Sequence, residues 1–560
     1  MTTLRDHLAY TPQPLKFGTS GRRGQVIDLT QLEIYTNVLA EIYYLQSLPL
    51  SQGGIQTGDD FYYAYDLRPS STRYVDEQET RRGGLCQAVE QALKDGGMRP
   101  LNLGAIPTPA LTYFALQRGK GSIMVTGSHI PFDRNGYKLN TSKGELMKRD
   151  EQPINELVER TREEIMGQSC SESLFDEQEL GPVLPEARTA YIQRFIDFFE
   201  GESLQGMTIL AYQHSAVGRD LLVEIFEKFD ATVIPVGRSE TFVPIDTEAI
   251  DQAQLDTVQK LYDGVGQLSV DAVISTDGDS DRPLILAPRE GKLCFFGGDL
   301  LGMIVAQFLD ADAAVVPISA NDAIDHGPLS KITEPKTKIG SPYVIAGMQL
   351  ATEKGRTQVC GWEANGGFLT GSDLKRNGKR LSALPTRDAM LPLLCALFAA
   401  QNQRMTLTDL FATLPKRYSR AALLRNFPRS ASLKIINRFS PPDAIMREIS
   451  FNDASHQITI RDSSNSPIDT QAGDEIKRIR TELETIFSPH RGFGPVIRLN
   501  YTDGVRMYFG NGDVAHFRPS GNADELRIYA IADRQERADD IAMQGVAEPD
   551  GLLRRLQNAV

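Results

Sequence analysis

The chain has 560 residues, which is too many for one hydrophobic core, and a prior of roughly 150 residues per domain predicts about four domains. Its 41% hydrophobic and 24% charged residues are ordinary for a globular protein. A formal net charge of −13 repels nucleic-acid phosphates and anionic membrane surfaces. We therefore expect neither nucleic acid nor membrane as a partner.

Cysteine usage and apolar runs predict a cytoplasmic protein. The five cysteines are scattered and form no CxxC pair, which favours reduced thiols over a disulfide framework. Residues 1–7 include an acidic residue and lack the apolar run of a secretion signal. The longest apolar stretch, 390–400, is shorter than the roughly 18 residues of a membrane span. It is predicted to be a buried helix.

In chain order, short apolar runs alternate with longer amphipathic segments, the pattern of α/β units. Strands are predicted at 61–65, 122–125, 208–211, 272–274 and 314–317. The segment 76–95 is predicted to be a helix that stops at Gly96 and Gly97. No short repeat is evident.

After residue 425 the pattern changes. Predicted strands at 447–451, 457–461 and 505–509 surround a single predicted helix near 474–486, with a loop at 463–473. The fold class is therefore α/β, with three α/β domains at 1–200, 201–312 and 313–425. A smaller α+β domain with an antiparallel sheet occupies 426–560.

The segment 126–138 reads Thr-Gly-Ser-His-Ile-Pro-Phe-Asp-Arg-Asn-Gly-Tyr-Lys and predicts a reaction centre. A serine hydroxyl needs a neighbouring base or metal to become a good nucleophile, and Ser128 has candidates for both. Gly127 is expected to allow a tight turn, while His129, Asn135 and Lys138 can supply protons or hydrogen bonds to an anion. Thr-Gly-Ser-His alone is more typical of a plain turn, but the extension to Asn-Gly-Tyr-Lys makes coincidence less credible.

Asp277, Asp279 and Asp281 alternate with small residues, so an extended backbone would turn their carboxylates to one face, where they suit a hard cation. An EF-hand is excluded, because its sixth and twelfth positions hold Arg282 and Pro288 instead of glycine and glutamate. The alternative is a solvated acidic turn.

Two further loops carry groups suited to a phosphosugar. Residues 517–522 read Phe-Arg-Pro-Ser-Gly-Asn, a candidate phosphate site or a plain turn. In residues 361–367, Glu363 offers an acceptor and Asn365 an amide for adjacent sugar hydroxyls. The alternative is an ordinary glycine turn after a strand, and Trp362 could equally be a core anchor. The candidate substrate-binding residues are Glu363, Asn365, Arg518, Ser520, Gly521, Asn522 and Arg527.

Near the N-terminus, residues 16–24 combine three glycines with Lys16, Arg22 and Arg23, which is a candidate anion nest. His214 is interpreted as part of a structural loop.

The order and content of these motifs resemble the α-D-phosphohexomutase superfamily, which includes phosphoglucomutases, phosphomannomutases and phosphoglucosamine or phosphoacetylglucosamine mutases. Residues 19–24 look like its N-terminal phosphate motif, 126–138 its phosphoserine loop and 277–282 its metal loop. Residues 363–367 and 518–522 match its sugar-binding and phosphate-binding loops.

The resemblance implies four domains around a central cleft. It implies an isomerase that interconverts hexose 1-phosphate and hexose 6-phosphate through a hexose 1,6-bisphosphate, which also serves as activator. Ser128 would carry the phosphoryl group, and one Mg²⁺ would bind Ser128 and the three aspartates. His129 and Lys138 are the candidates for proton transfer, and Arg23 and Arg282 would steady the transferred group. The ligand would be a small phosphosugar, and the enzyme a monomer or homodimer.

Departures from the family pattern leave the sugar open. Asn522-Ala-Asp-Glu follows Ser520 and Gly521 where Ser-Gly-Thr-Glu-Pro is common, and Asn365 stands where many members have serine. Mannose or glucose phosphate is preferred, and glucosamine or acetylglucosamine phosphate is the second choice. A hexose 1,6-bisphosphate synthase is a different reaction compatible with the same motifs, and a non-catalytic phosphosugar sensor is the least favoured function.

Overall fold

The computed structural model describes residues 4–8, 11–18, 20–73, 83–167, 179–248, 250–455, 457–463, 466–469, 472–520 and 524–559. The chain separates into two compact units. Unit 1 comprises residues 1–314 and 348–411, and unit 2 comprises residues 315–347 and 412–560. The finer division into four domains stays a prediction.

The N-terminal part of unit 1 contains a mixed sheet covered by helices. The strands are β1 (Arg22–Gln25), β2 (Asp60–Tyr65), β3 (Arg99–Asn102), β4 (Ser122–Val125), β5 (Arg134–Thr141) and β6 (Gly144–Glu145). The helices are α1 (Leu4–His7), α2 (Gln31–Ser47), α3 (Pro69–Thr72), α4 (Leu85–Asp95), α5 (Thr108–Leu116), α6 (Glu151–Met166) and α7 (Glu186–Phe198).

The next part of the chain contains a second mixed sheet and then a third sheet. The strands are β7 (Thr208–His214), β8 (Thr232–Arg238), β9 (Ala272–Thr276), β10 (Pro283–Arg289), β11 (Lys292–Phe295), β12 (Ala313–Val315), β13 (Val359–Trp362), β14 (Phe368–Thr370), β15 (Leu374–Arg376), β16 (Lys379–Leu381) and β17 (Leu384–Asp388). The helices are α8 (Arg219–Glu227), α9 (Gln252–Asp263), α10 (Gly298–Phe308), α11 (Ser341–Glu353), α12 (Met390–Gln403) and α13 (Leu407–Ala412).

The first two sheets share the pairing order of four strands, β5-β4-β2-β3 in the first and β10-β9-β7-β8 in the second. The next strand differs, because β1, which pairs with β5, precedes the four strands in the chain, whereas β11, which pairs with β10, follows them. The first sheet also contains β6, which pairs with β5. In each, three strands pair in parallel, and the other two join them at one side through antiparallel pairings. The loop from β4 to β5 and the loop from β9 to β10 therefore occupy equivalent positions, each at the carboxyl end of a parallel strand, where ligands bind in such sheets. The repeat is not visible in the sequence, because it exists in the pairing order and not in the residue identities.

Most predicted elements are confirmed. The strands predicted in residues 61–65, 122–125, 208–211 and 272–274 lie within β2, β4, β7 and β9, and helix α12 covers the predicted buried helix at 390–400. The strand predicted at 314–317 overlaps β12 only at residues 314 and 315. The predicted helix at 76–95 begins too early. Gly83 and Gly84 have φ of 79° and 61°, which excludes a right-handed helix there, so α4 starts at Leu85. Residues 76–82 lie outside the described part of the chain.

The C-terminal part of unit 2 is an antiparallel sheet packed against helices, as predicted. The strands are β18 (Tyr418–Arg425), β19 (Glu448–Asn452), β20 (Gln457–Arg461), β21 (Val496–Asn500), β22 (Val505–Phe509), β23 (Val514–Pro519) and β24 (Glu525–Ala532), in the order β18-β24-β23-β22-β21-β19-β20. The helices are α14 (Arg429–Phe439), α15 (Gly473–Ile486), α16 (Gln535–Val546) and α17 (Leu552–Asn558).

Helix α15 confirms the predicted helix near 474–486, but the expectation of a single helix in this region is wrong. The other helices carry narrow apolar stripes, such as Ile435 with Phe439 on α14 and Ile541 with Ala542 on α16, and these stripes join the core of the sheet.

Short 3-10 turns complete the described structure, at Leu50–Gln52, Lys148–Asp150, Asp322–Asp325, Pro328–Lys331 and Pro489–Arg491. No helix within the described ranges combines the length and apolar character needed to cross a membrane. Cys86, Cys294, Cys360 and Cys395 are free thiols, and Cys170 lies outside the described residues.

Trp362 is a core anchor of unit 1. Its side chain is buried, and it stacks on Phe368 with ring centroids 6.0 Å apart. Gly302 on α10 faces the indole so closely that an added Cβ would lie 2.4 Å from two ring carbons. Helix α10 can therefore pack on β13 only because residue 302 has no side chain.

We predict that Gly302→Ala destabilises unit 1 by about 1–3 kcal/mol, because overpacking outweighs the gain in helix propensity. Urea unfolding monitored by the fluorescence of Trp362, the only tryptophan, measures this. Gly297→Ala, at the N-cap of the same helix, is the control for an added methyl group without a clash, since φ is −63° and an added Cβ meets nothing within 4 Å, and it should cost less than Gly302→Ala. Equal stability of the Gly302→Ala variant and the wild type would contradict the packing argument.

Candidate functional site

The loop between β4 and β5 presents Ser128 toward the second sheet. Ser128 is fully buried and has φ of 56°, a left-handed conformation that is uncommon outside glycine. Its Oγ donates a hydrogen bond to Asp277 Oδ2 at 2.7 Å, and His129 Nδ1 lies 3.5 Å from the same Oγ. The backbone N–H of Ser128 donates to Thr126 Oγ1 at 2.7 Å. One hydroxyl therefore lies between a carboxylate and an imidazole.

Arg68 stabilises this loop through hydrogen bonds to its backbone carbonyl oxygens. The sequence interpretation did not identify Arg68. Its guanidinium donates to the carbonyl oxygens of Ser128 and Ile130, at 2.8 and 2.6 Å, and to those of Pro131 and Arg134, at 2.7 and 3.0 Å. The side chain is buried, and these contacts satisfy carbonyls that a tight turn would otherwise leave unpaired.

Asp66 completes this support. Its carboxylate accepts hydrogen bonds from Arg68 Nε at 3.1 Å and from Thr126 Oγ1 at 2.8 Å. A usable signal existed in the sequence, because 66–71 follows β2, the parallel neighbour of β4, and reads Asp-Leu-Arg-Pro-Ser-Ser.

The expected role of Gly127 needs correction. The residue with positive φ is Ser128, and Gly127 is required because an added Cβ would lie 2.6 Å from Arg68 Cζ. Asn135 is also used internally, since its amide donates to Ser70 Oγ and Ser71 Oγ at 2.8 and 3.1 Å.

The three aspartates lie on the loop from β9 to β10. All are buried, and one carboxylate oxygen of each lies within 4.8 Å of the others. The expectation of an extended backbone is wrong, because Ser280 has φ of 57° and its N–H donates to Asp277 O at 3.1 Å. A tight turn, and not strand alternation, makes the carboxylates converge.

Cations from other elements compensate the aspartates. Lys138 Nζ on β5 donates to Asp279 Oδ2 at 2.6 Å and to Asp281 Oδ2 at 2.5 Å. Thr108 Oγ1, at the start of α5, also donates to Asp279 Oδ2, at 2.6 Å. Arg387 on β17, which sequence reasoning missed, donates to Asp281 Oδ2 from Nε at 3.1 Å.

The three carboxyl groups titrate differently. Burial raises the pKa of Asp277 well above its ordinary value, and the charges of Asp279 and Asp281 add to the rise. Burial opposes ionisation of Asp279 as well, but the charge and hydrogen bond of Lys138 lower its pKa below the usual range. For Asp281, burial is outweighed by the nearby charges, of which Arg387 is the strongest, so its pKa is also lowered.

The triad fits a divalent cation. Asp279 Oδ1 and Asp281 Oδ1 are buried oxygens to which no described residue donates a hydrogen bond. Anionic oxygens without a donor are costly in the interior, and a hard cation is the ligand that they suit.

Two arginines flank the Ser128 loop. Arg23 donates from Nη1 to Gly127 O at 3.2 Å, and burial lowers the pKa of Arg23 to about 10 against the opposing charge of Asp279. Arg282 Nε lies 3.8 Å from Asp277 Oδ2 and 3.6 Å from Asp281 Oδ1. The structure thus brings together Arg23, Ser128, His129, Lys138, Asp277, Asp279, Asp281 and Arg282.

The predicted sugar loop, between β13 and β14, reaches the same cluster through Arg387. Glu363 Oε2 accepts from Arg387 Nη1 at 3.1 Å. Asn365 stabilises its own loop. Its side-chain Oδ1 accepts a hydrogen bond from the backbone N–H of Gly367 at 2.9 Å, and its backbone carbonyl oxygen accepts one from Thr247 Oγ1 at 2.8 Å.

The predicted phosphate loop lies in unit 2. Arg518 on β23 and Arg527 on β24 are cross-strand partners, and like charges at such positions repel unless an anion lies between or near them. Arg518 Nε lies 3.6 Å from Asp503 Oδ1, and Arg527 Nη2 donates to Glu525 Oε2 at 3.3 Å. The N–H of Ser520 donates to Glu525 O at 2.9 Å. Gly521, Asn522 and Thr19 lie outside the described residues.

His214 supports the aspartate loop from the end of β7, which corrects its interpretation as a loop residue. Its Nε2 lies 2.7 Å from Thr276 O, directly before Asp277, and the ring is fully buried. Burial lowers the pKa of His214 to about 4, although the hydrogen bond to Thr276 acts in the opposite direction. The neutral imidazole with a proton on Nε2 is the form that satisfies this carbonyl.

Solved structures with a similar fold include proteins named as sugar-phosphate mutases. Over 95% of this chain and 98% of the other, the structure matches a putative phosphomannomutase from Thermus thermophilus with a TM-score of 0.61 at 18% identity. An N-acetylphosphoglucosamine mutase from Aspergillus fumigatus, in complex with glucose 1,6-bisphosphate, matches with a TM-score of 0.54 at 15% identity, covering 100% of this chain and 97% of the other. These likenesses identify the fold of the α-D-phosphohexomutase superfamily.

Sequence comparison identifies the family. The descriptions "Phosphoglucomutase/phosphomannomutase, alpha/beta/alpha domain I" and "domain III" match residues 14–165 and 297–418. A phosphomannomutase of Sinorhizobium fredii is 35% identical over 95% of this chain and 98% of its own length, and one of Salmonella muenchen is 35% identical over 94% of each. A phosphoglucosamine mutase of Herminiimonas arsenicoxydans is 28% identical over 56% of this chain and 72% of its own. The chain belongs to the phosphoglucomutase/phosphomannomutase family, which confirms the predicted superfamily and fold class.

The pKa of His214 predicts a pH-dependent stability. The unfolded chain takes up a proton below the ordinary pKa of 6.5, whereas the folded protein does so only below about 4. Stability is therefore retained above pH 6.5 and falls as the pH drops from 6.5 to 4, by roughly 3 kcal/mol for this group.

His214→Gln keeps a donor for Thr276 O, so we expect urea unfolding, followed by Trp362 fluorescence, to depend less on pH between 6.5 and 4 than in the wild type. His326→Gln at an exposed position is the control and should retain the wild-type slope. A His214→Gln slope equal to that of the wild type would show that another group carries the dependence.

Proposed function

We propose that this protein is a phosphohexomutase that interconverts hexose 1-phosphate and hexose 6-phosphate, with mannose phosphate as the preferred substrate. The observation that carries the proposal is the position of Ser128. Its Oγ is buried and donates a hydrogen bond at 2.7 Å to Asp277, which is one of the three aspartates that fit a divalent cation. The relatives that are 35% identical over nearly the whole chain are named phosphomannomutase, which supports the mannose assignment.

In the proposed reaction Ser128 carries the phosphoryl group. A hexose hydroxyl oxygen forms a bond to phosphorus while the bond from phosphorus to Ser128 Oγ breaks, and the hydroxyl proton passes to a base. The reverse transfer at the other end of the sugar bisphosphate regenerates the phosphoserine. In-line positioning and electrostatic stabilisation supply most of the acceleration in such transfers.

Asp277, Asp279 and Asp281, with Ser128, would hold one Mg²⁺ per active site. When bound, the ion supplies positive charge that offsets the charge on the transferring phosphoryl group. The remaining roles are assigned to side chains that surround Ser128. Arg23 and Arg282 orient the phosphoryl oxygens. His129 and Lys138 are assigned the proton transfers, His129 as the group that takes the hydroxyl proton and Lys138, an ammonium that donates to Asp279 and Asp281, as the proton donor of the reverse transfer.

Recognition of the rest of the substrate is assigned to two loops. Glu363 and Asn365 would bind sugar hydroxyls, and Arg518, Ser520, Gly521, Asn522 and Arg527 would bind the phosphate that is not being transferred. The facing arginines of β23 and β24 support this assignment, because together they place two guanidinium groups suited to phosphate oxygens at this loop. We further propose a cytoplasmic monomer or homodimer that is activated by hexose 1,6-bisphosphate.

We predict that Ser128→Ala lowers mutase turnover by roughly 10³-fold or more, because the oxygen that carries the phosphoryl group is removed. It should also abolish phosphoryl labelling of the protein by labelled glucose 1,6-bisphosphate. Ser142→Ala is the control, because its Oγ hydroxyl donates to Gly54 O away from the triad. A folded Ser128→Ala variant with wild-type turnover would refute the role of Ser128.

For the sugar, we expect kcat/KM to be highest for mannose 1-phosphate in a coupled assay of mannose, glucose, glucosamine and N-acetylglucosamine 1-phosphates with Mg²⁺ and the matching bisphosphate. A maximum for either amino sugar would overturn the mannose assignment. A bisphosphate synthase differs in consuming a separate phosphoryl donor without a need for added bisphosphate, so rates with and without bisphosphate separate the two reactions.

A further inference from the structure

Arg387 connects two loops that the proposed function uses separately. Its Nε donates to Asp281 Oδ2 at 3.1 Å, and its Nη2 lies 3.0 Å from the same oxygen in an ion pair. Its Nη1 donates to Glu363 Oε2 at 3.1 Å. All three side chains are at most 4% exposed. A planar guanidinium can span two carboxylates at fixed angles, whereas an ammonium acts as a point charge.

The backbone of β17 is shaped to aim this side chain. Asp388 pairs with Phe368 and Leu384 with Thr370, so three residues of β17 face one residue of β14. Such a bulge redirects the side chains within it, and Arg387 is one of the three residues.

The flanks of the bulge are anchored. Thr386 Oγ1 donates to Glu145 Oε1 at 2.7 Å, and Asp388 Oδ1 accepts from Tyr191 OH at 2.6 Å. Asp388 Oδ1 also accepts from the N–H of Met390, in the first turn of α12, at 2.9 Å. Arg387 therefore projects from a backbone that is held on both sides.

The sugar loop is built around the aliphatic part of Arg387. An added Cβ at Gly367 would lie 2.5 Å from Arg387 Cδ and 2.6 Å from its Cγ, so the loop can close over the side chain only with glycine there. The Asn365 side chain holds Gly367 in this position through its 2.9 Å hydrogen bond. The sugar loop and the Arg387 side chain are therefore in close van der Waals contact.

We propose that Arg387 is a positioning residue that sets the distance between the Glu363 carboxylate and the aspartate triad, and thereby places a hexose ring relative to the transferred phosphoryl group. This inference rests on the proposed function. Arg387 satisfies Oε2 of Glu363 and offsets its charge, so Oε1 is directed to accept a hydrogen bond from a sugar hydroxyl. Arg387 is not assigned a contact with the substrate.

The test is a double-mutant cycle between Arg387 and Glu363, with mannose 1-phosphate as substrate. Arg387→Lys keeps a positive charge but cannot bridge both carboxylates, so we expect KM to rise about 10- to 100-fold, with a change in kcat of less than about threefold. Glu363→Gln should raise KM by a similar factor. If Arg387 acts through Glu363, the KM of the double variant should not exceed that of Glu363→Gln alone.

Two measurements separate this role from a purely structural one. Mn²⁺ binding followed by electron paramagnetic resonance should not be weakened in Arg387→Lys, because no cation ligand is removed. Arg376→Met, which loses an arginine bonded to Phe308 O and Glu202, should lower the unfolding midpoint without changing KM.

Additive effects of Arg387→Lys and Glu363→Gln on KM, or a tenfold loss of Mn²⁺ affinity in Arg387→Lys, would overturn the inference. A folded Arg387→Lys variant with wild-type KM would do the same. If the wild type itself fails to convert mannose 1-phosphate, the proposed function fails first. If the wild type converts mannose 1-phosphate but the cycle shows no coupling between Arg387 and Glu363, the proposed function stands and only this inference fails.

Discussion

Three carboxylates buried within 4.8 Å of one another impose a constraint that the rest of unit 1 satisfies. Like charges at such separations repel strongly where water is excluded, and each also loses its hydration. The compensation comes from Lys138 on the first sheet, from Arg387 on the third sheet and from a raised pKa at Asp277. Burial of the aspartate loop is therefore compensated by cations from both neighbouring sheets.

The loop with the hydroxyl and the loop with the carboxylates have equivalent places in their own sheets. Ser128 follows β4 and Asp277 follows β9, at equivalent positions of the four-strand order that the two sheets share. Each loop contains a serine in the left-handed region, Ser128 with φ of 56° and Ser280 with φ of 57°. Residues in this conformation persist only where the surroundings hold them, as Arg68 and Asp66 do for the first loop.

Several details of the site could not be predicted, for identifiable reasons. Alternating aspartates suggested an extended strand, but a turn with Ser280 at positive φ brings them together, and that conformation has no signature without glycine or asparagine. Gly127 suggested a turn glycine, but its requirement comes from Arg68, which lies about 60 residues earlier in the chain. Helices α14, α16 and α17 of unit 2 were not predicted, because their apolar stripes are short and become recognisable only where they pack against the sheet.

The amino-acid sequence by itself determined the chemical groups and the local elements that carry them. The serine, the three aspartates and the strands that precede them follow from residue type and short-range periodicity, which act over a few residues. Only the tertiary structure decided which groups touch, such as Ser128 with Asp277 across 149 positions and Arg387 with Asp281 across 106. Such contacts depend on strand order, register and the bulge in β17, and these arise from packing between distant segments that no local pattern encodes.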